Sequence, residues 1–333
     1  MGTSSDFSSL ISGDPIYYTD GALEEGSFSS TIGSLEKDTK YYYVAFVEAK
    51  GEDGNYHEVY GEVRSFRTAG GSSVVVPEWM ELPSMSVSDG CDFYAHAIDN
   101  NSKSYFDLQR NDSSVKRNYS FYWSPTHHVS YWVAYLLYDD VLNKKVDRKD
   151  NYALDPIVPQ SDQPAVSTYS SSGYSRGHQM PSQDRLSSRE MNNSTFFLTN
   201  ITPQDSDFNG GVWLQLENKV HAWGGQCDTL YVVTGCVVDD DKSNGTIGSG
   251  SNSITVPTHY YKALLRLDNG DYTACAFYFD HFGDYDNSDW NSSSCKMSVA
   301  ELEKKTGIVF FPNLEDKVGA TKAKNIKNTA TSF

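Results

Sequence analysis

Three clusters of chemistry-bearing residues fall between Gly173 and Trp223. The first is Arg176-Gly177-His178, in a segment flanked by Gly and Ser. The second runs Thr199-Asn200-Ile201-Thr202-Pro203-Gln204. The third starts at Asn209 and carries Glu217 and His221. An imidazole with an ordinary pKa of about 6.5 is suited to take a proton from water at neutral pH, and the slim flanks of His178 let it approach a bulky phosphodiester. Arg176, two residues away, falls on the same side of an extended strand, where a guanidinium fork matches phosphate oxygens. From Asn209 onward, Val212, Leu216, Val220 and Trp223 recur at three- and four-residue steps. One face of a helix is therefore apolar, and the opposite face is expected to present Asn209, Glu217 and His221. A helical rise of ~1.5 Å per residue separates the Cα atoms of Asn209 and Glu217 by roughly 12 Å, too far for both to hold one ion directly. An Asn209 amide oxygen suits a hard divalent cation, with Glu217 orienting its waters, and Mg²⁺ keeps several waters when bound.

In this order and at this spacing the three boxes resemble the DNA/RNA non-specific endonuclease family of ββα-metal nucleases. Its signature is an Asp-Arg-Gly-His box, an Asn-Ile-Thr-Pro-Gln box and an Asn-x-Gly-x-Trp-x-x-Leu-Glu helix. Ser175 stands where the family has Asp, and His221 where it usually has Arg. The resemblance is dense over Gly173–Trp223 and looser from Cys91 to the end. It implies an α+β fold, a ββα-metal nuclease domain with a central antiparallel sheet. It also implies metal-dependent cleavage of DNA and RNA without sequence preference, leaving 5′ phosphates. Mg²⁺, or Mn²⁺, would sit on Asn209, and His178 would be the general base. Arg176, Arg148 and His221 would share the phosphate charge, Glu217 would act from behind the ion's waters, and Asn200 would lend a supporting hydrogen bond.

Each residue also has a plainer reading. Asn is a common helix N-cap, which would suffice for Asn209. A turn-forming Asn before Thr202-Pro203 explains Asn200, and Glu217 with His221 could be a structural i,i+4 pair. A rival from another class is an exported nucleic-acid- or ligand-binding protein whose nuclease-like domain no longer turns over. Aromatic-rich carbohydrate-binding modules are a third possibility.

The net charge of −17 argues against wholesale electrostatic capture of nucleic acid, which normally relies on clustered Lys and Arg. Part of that charge lies away from the boxes, since residues 1–70 hold 12 acidic against 5 basic side chains. No run approaches the length of a membrane span. The opening residues carry no signal peptide, which leaves export open. Cys91, Cys227, Cys236, Cys275 and Cys295 are too widely spaced for a zinc ribbon. With the abundance of Asn, Ser and Tyr, they suggest an extracellular or cell-envelope protein with one or two disulfides.

The remaining chain must position the boxes. Residues 1–70 read as short alternating strands. Leu35 to Tyr41 resembles the tyrosine corner of fibronectin type III-like domains, and Gly61 to Thr68 their last strand, giving a small partial β-sandwich. Residues 71–90 read as a linker and 91–333 as the nuclease-like domain. Strands are expected from Phe93, Arg117, Val129, Thr229 and Ile254, with His127 and His128 on opposite faces of one of them. Ser298 and Glu301 form a capping-box signature. Arg185 and Arg189 read as a solvated face, and the Lys-rich tail from Lys317 as mobile at its end.

Overall fold

In a computed structural model, residues 40–44, 46–51, 54–61, 64–67, 79–84, 91–97, 117–239 and 244–333 are described. The chain divides into two units, 1–75 and 76–333. In the first, β1 (Lys40–Tyr43) pairs antiparallel with β4 (Arg64–Arg67), and β2 (Phe46–Lys50) with β3 (Tyr56–Tyr60). The expected antiparallel character is present there. Most of the proposed tyrosine corner, residues 35–39, lies outside the described residues.

The second unit is built on a seven-stranded antiparallel sheet. Its strands are β5 (Asp92–Ala97), β6 (Arg117–Ser124), β7 (Val129–Leu137), β10 (Thr229–Val237), β13 (His259–Asp268), β14 (Asp271–Asp280) and β15 (Lys296–Met297), in the order β15-β14-β13-β10-β7-β6-β5. The strand expected from Ile254 pairs outside this sheet, β12 (Ile254–Thr255) lying against β11 (Thr246–Ile247). The central strands are rich in Val, Leu, Tyr and Trp because both faces are covered. Tyr119, Phe121, Trp123, Val133 and Tyr135 join the core on one side. Tyr122 and Trp132 stack at 5.8 Å on the other, where Tyr261 meets Phe310 at 5.6 Å. Within residues 71–90, Trp79 to Leu82 are buried in this unit. Arg117 lies over the Trp79 ring at 3.9 Å and bonds Glu81 at 2.8 Å.

A short pair, β8 (Ser175–His178) and β9 (Ile201–Gln204), sits beside the sheet, with His178 opposite Ile201 and Ser175 opposite Gln204. It is fastened to β7 because Ser130 Oγ donates to the Thr199 carbonyl at 2.6 Å and Gln179 Nε2 donates to the Ser130 carbonyl at 2.6 Å. Gly177 has no room for a side chain, since a Cβ there would lie 2.2 Å from buried Gln204. The helical segment after β9 is capped by Asp205, whose carboxylate accepts from the Asp207 and Phe208 amides. Asn209 is thus one turn inside. A widened turn follows at Asn209–Trp213, with Gly211 out of helical geometry, before the helix runs on through Leu214–Gly224. Val212, Leu216 and Val220 are buried as their spacing required, each contributing about 1.5–3 kcal/mol.

Several expectations are corrected. His127 and His128 lie in the turn between β6 and β7, not on a strand, and His128 has φ of 53°. Arg185 is not on a solvated face. It is 1% exposed and donates to Asn118 Oδ1, to the Asn118 and Leu136 carbonyls and to the Asp184 carbonyl. The tail is held as well: the helix Ala320–Lys327 is tied by Lys327 to Glu303 at 2.6 Å, and the Phe333 ring packs on Trp223 at 5.5 Å. Cys227, Cys236, Cys275 and Cys295 are free thiols, so the expected disulfides are not formed among the described residues. Burial pushes the Cys275 thiol up to about 12, a setting in which thiols are inert. The Ser298–Glu301 capping box is present at the start of Val299–Thr306. Among the described residues no helix is long and apolar enough to cross a membrane.

Candidate active site

The β8–β9 pair and the turn at Asn209 meet at an open groove of about 520 Å³. Arg148, Arg176 and Asn209 line it together with Asp150, Ser175 and an aromatic wall of Tyr152, Tyr169 and Tyr174. This volume accommodates a phosphodiester with its flanking sugars. His178 lies directly behind that wall. Its ring is 6.2 Å from Tyr152 and edge-on to Phe196 at 4.9 Å, and its Nε2 is buried with no hydrogen-bond partner. Burial, reinforced by the nearby Arg148 guanidinium, pushes the His178 pKa down to about 3. Asp150 and a backbone hydrogen bond at Arg176 oppose these effects. The imidazole is therefore neutral at physiological pH, the form that accepts a proton.

Ser175 offers Arg176 no carboxylate, and aromatic faces hold the guanidinium. Its guanidinium lies 4.7 Å from the Tyr152 ring and 6.0 Å from Tyr169, with Nε unpartnered. Such cation–π contacts fix the fork without neutralising it. Arg148 reaches the groove over the Phe196 ring at 5.2 Å, and its Nε donates to Asp150 Oδ1 at 2.7 Å. It acts on both His178 and Glu217, lowering the pKa of each.

Glu217 departs from the expected geometry. It does not stand on an open face opposite the core but is 9% exposed, with Oε1 unpartnered. Within the regular helix Leu214–Gly224 it shares the covered side with Leu216 and Val220. Burial raises its pKa strongly. The charge of Lys262 opposes that, and Asp184 adds to it. Lys262 is itself fully buried, with Nζ donating to Thr234 Oγ1 at 2.7 Å and lying 4.4 Å from the Trp213 ring. Burial lowers the Lys262 pKa, while Glu217 and Asp184 raise it.

Asn200 does not offer an atom to the groove. It is fully buried, its Nδ2 donating to the Met180 and Thr195 carbonyls and its Oδ1 accepting from the Met180 amide. Its work is to lock the strand end just after His178. His221 is also away from the groove lining. Its Nδ1 is 2.7 Å from Oδ1 of the buried Asp184, which raises the His221 pKa above its ordinary 6.5 against the effect of burial. A raised pKa means that this ion pair is complete below about pH 6.5 and is lost as pH rises through the higher folded-state value. An NMR titration of His221 is expected to show a midpoint above 6.5 that moves back down in Asp184→Asn. An unmoved midpoint would remove Asp184 as the cause.

Sequence reading missed Asp150, Tyr152, Tyr169, Asp184 and Lys262. Only Asp184 carried a local signal, six residues after His178. The profile of the DNA/RNA non-specific endonuclease family matches residues 99–317, well over half of the chain. The chain belongs to the DNA/RNA non-specific endonuclease family. A nuclease from Nostoc is 30% identical over 225 residues, covering 64% of this chain and 78% of its own length. The nuclease of Serratia marcescens is 30% identical over 221 residues, covering 63% and 79%. The mitochondrial nuclease EXOG of Danio rerio is also 30% identical, and the match spans 61% of this chain and 62% of that protein, less than two thirds of its length. The solved structure of an EndoG/EndoGI complex contains a chain with a TM-score of 0.53 at 25% identity, covering 59% of this chain and 83% of its own. The central antiparallel sheet of this endonuclease-family member agrees with that neighbour.

An Asn carboxamide at the groove and a buried carboxylate oxygen without a partner behind it are a donor set that fits one hard, hydrated divalent cation. Among the described residues no three His, Cys, Asp or Glu side chains cluster as a metal cage would require.

Proposed function

We propose that this protein is a metal-dependent endonuclease that hydrolyses phosphodiester bonds of DNA and RNA with little sequence preference. The reading is carried by one observation: a neutral, buried imidazole with an unpartnered Nε2 stands behind a groove that also gathers two arginines and Asn209. In this proposal Arg176 and Arg148 hold the non-bridging phosphate oxygens. His178 Nε2 takes a proton from a water whose oxygen attacks phosphorus, in line with the O3′ bond that breaks. The attack leaves a 5′ phosphate and a 3′ oxygen that is protonated from solvent. Asn209 would hold Mg²⁺ or Mn²⁺, and Glu217 would orient the ion's waters. When bound, the ion supplies positive charge against the transition-state phosphoryl group and departing oxygen.

The names of the relatives support nuclease chemistry. The choice of His178, Asn209 and Mg²⁺ rests on the resemblance of the three boxes to that family and on the chemistry of those residues. Plasmid and RNA incubated with Mg²⁺, Mn²⁺ or chelator are expected to be degraded only with metal, and the ends should carry 5′ phosphates. Nucleic-acid binding without any cleavage, across metals and pH, would favour a non-catalytic binding protein instead. The proposal extends to an extracellular or cell-envelope location, supported by composition and testable by fractionating the native cells. It also includes a fibronectin type III-like first unit, supported by the antiparallel pairs β1–β4 and β2–β3.

A further inference from the structure

Phe282 is a large apolar side chain left 50% exposed close to the groove. A lone exposed phenyl ring needs no explanation by itself, so its surroundings decide. Its neighbour His281 is fully buried and engaged at both ring nitrogens. The Asp205 amide donates to Nε2 at 2.8 Å, and Nδ1 lies 2.8 Å from the Pro257 carbonyl oxygen. The Phe282 amide donates to Asp280 Oδ1 at 3.0 Å. The ring is thus presented from a fixed backbone. It meets Tyr174 edge-on at 6.4 Å, and Tyr174 lines the groove with Arg176 and Asn209. The same loop packs against the residue before Asn209, with the His281 and Tyr285 rings 5.8 and 6.5 Å from Phe208.

The charge around the ring narrows what it can bind. Asp280, Asp284 and Asp286 are exposed in this loop, and the chain as a whole carries −17. A phosphate backbone is repelled here, whereas an uncharged base is not. Stacking on an aromatic ring needs no cation and tightens binding about tenfold to a hundredfold per base. A base inside a duplex has its faces covered by its neighbours.

We propose that Tyr174 and Phe282 form a stacking subsite for an unpaired base next to the scissile phosphate, giving this protein a preference for single-stranded over duplex nucleic acid. This rests on the nuclease reading and names its substrate class. The test uses the full chain with His178→Ala, an oligonucleotide carrying 2-aminopurine as a single strand or as a duplex of equal length, and Phe282→Ala or Phe282→Trp added. Cleavage of the same two substrates is compared with His178 intact. The ratio of single-strand to duplex affinity should fall about tenfold in Phe282→Ala and recover in Phe282→Trp. The 2-aminopurine quenching should follow the same order, and the cleavage ratio should move in parallel. An unchanged ratio and unchanged quenching in Phe282→Ala, with cleavage intact, would overturn the subsite and leave the nuclease reading standing. Absence of both binding and cleavage for either substrate would overturn the two together.

Discussion

His178→Ala is expected to lower kcat on plasmid DNA by about 10³-fold, within the ~10²–10⁴-fold that a positioned general base supplies. The effect is large because no other described group near the groove offers an equivalent acceptor. Asp150 is paired with Arg148, Glu217 is buried beside Lys262, and His221 is bonded to Asp184. The pH dependence separates this role from a structural one. With its pKa pushed down to about 3, the free-enzyme imidazole stays unprotonated from mildly acidic pH upward. The kcat/KM profile of the unmodified protein should therefore show no acid limb at the ordinary histidine value of 6.5. Removing Arg148 takes away a charge that lowers the pKa, so an acid limb caused by His178 should move upward. Steady-state rates with plasmid, taken between pH 4 and 9 beside a melting curve for each variant, decide the matter. Less than a fivefold loss in a folded His178→Ala protein would exclude it as the base.

Lys262→Met is expected to be strongly destabilising at neutral pH, by about 3 kcal/mol, because buried Glu217, its pKa already raised to about 7, loses the charge that opposes that rise and must take up a proton to stay buried. For a unit of this size that lowers Tm by about 10 °C. The sign with pH follows from Glu217. Burial has raised its pKa, so the charged form is the costly one once Lys262 is gone. Near and below the ordinary carboxyl value of 4.5, Glu217 is neutral in both folded and unfolded chains and the penalty fades. Urea melts at pH 7 and pH 4.5 should show a smaller difference at the lower pH. Glu217→Gln combined with Lys262→Met should cost less than the two single changes added together. Equal losses at both pH values, with simple additivity, would mean that Lys262 stabilises by packing on Trp213 and Thr234 alone.

Both predictions involve residues that were visible in the sequence in different ways. His178 is announced by its Arg176-Gly177 flank and by the two boxes that follow. Lys262 lies in Tyr260-Tyr261-Lys262-Ala263-Leu264-Leu265, where nothing local distinguishes it from an ordinary strand residue turned to solvent. Its burial is set by the pairing of β13 with β10, which places it across from Thr234. Arg185 was misread for the same reason: its partners Asn118 and Leu136 come from the distant strands β6 and β7. Asn200 differs again: the resemblance implied a supporting hydrogen bond, and which atoms its amide meets, the Met180 amide and the Met180 and Thr195 carbonyls, was set only by folding.

The sequence by itself determined the family, the strands β5, β6, β7 and β10 of the central sheet, the buried stripe Val212, Leu216 and Val220, and the Ser298 cap. Those features follow from side-chain period and backbone sterics within a few residues, and they hold wherever the segment is placed. Only the tertiary structure decided that Glu217 faces inward toward Lys262, that aromatic rings hold Arg176 in place of a carboxylate, and that Phe282 stands beside the groove. Each of these depends on how segments far apart in the chain pack together, and desolvation, which sets the charges there, exists only once those segments have packed.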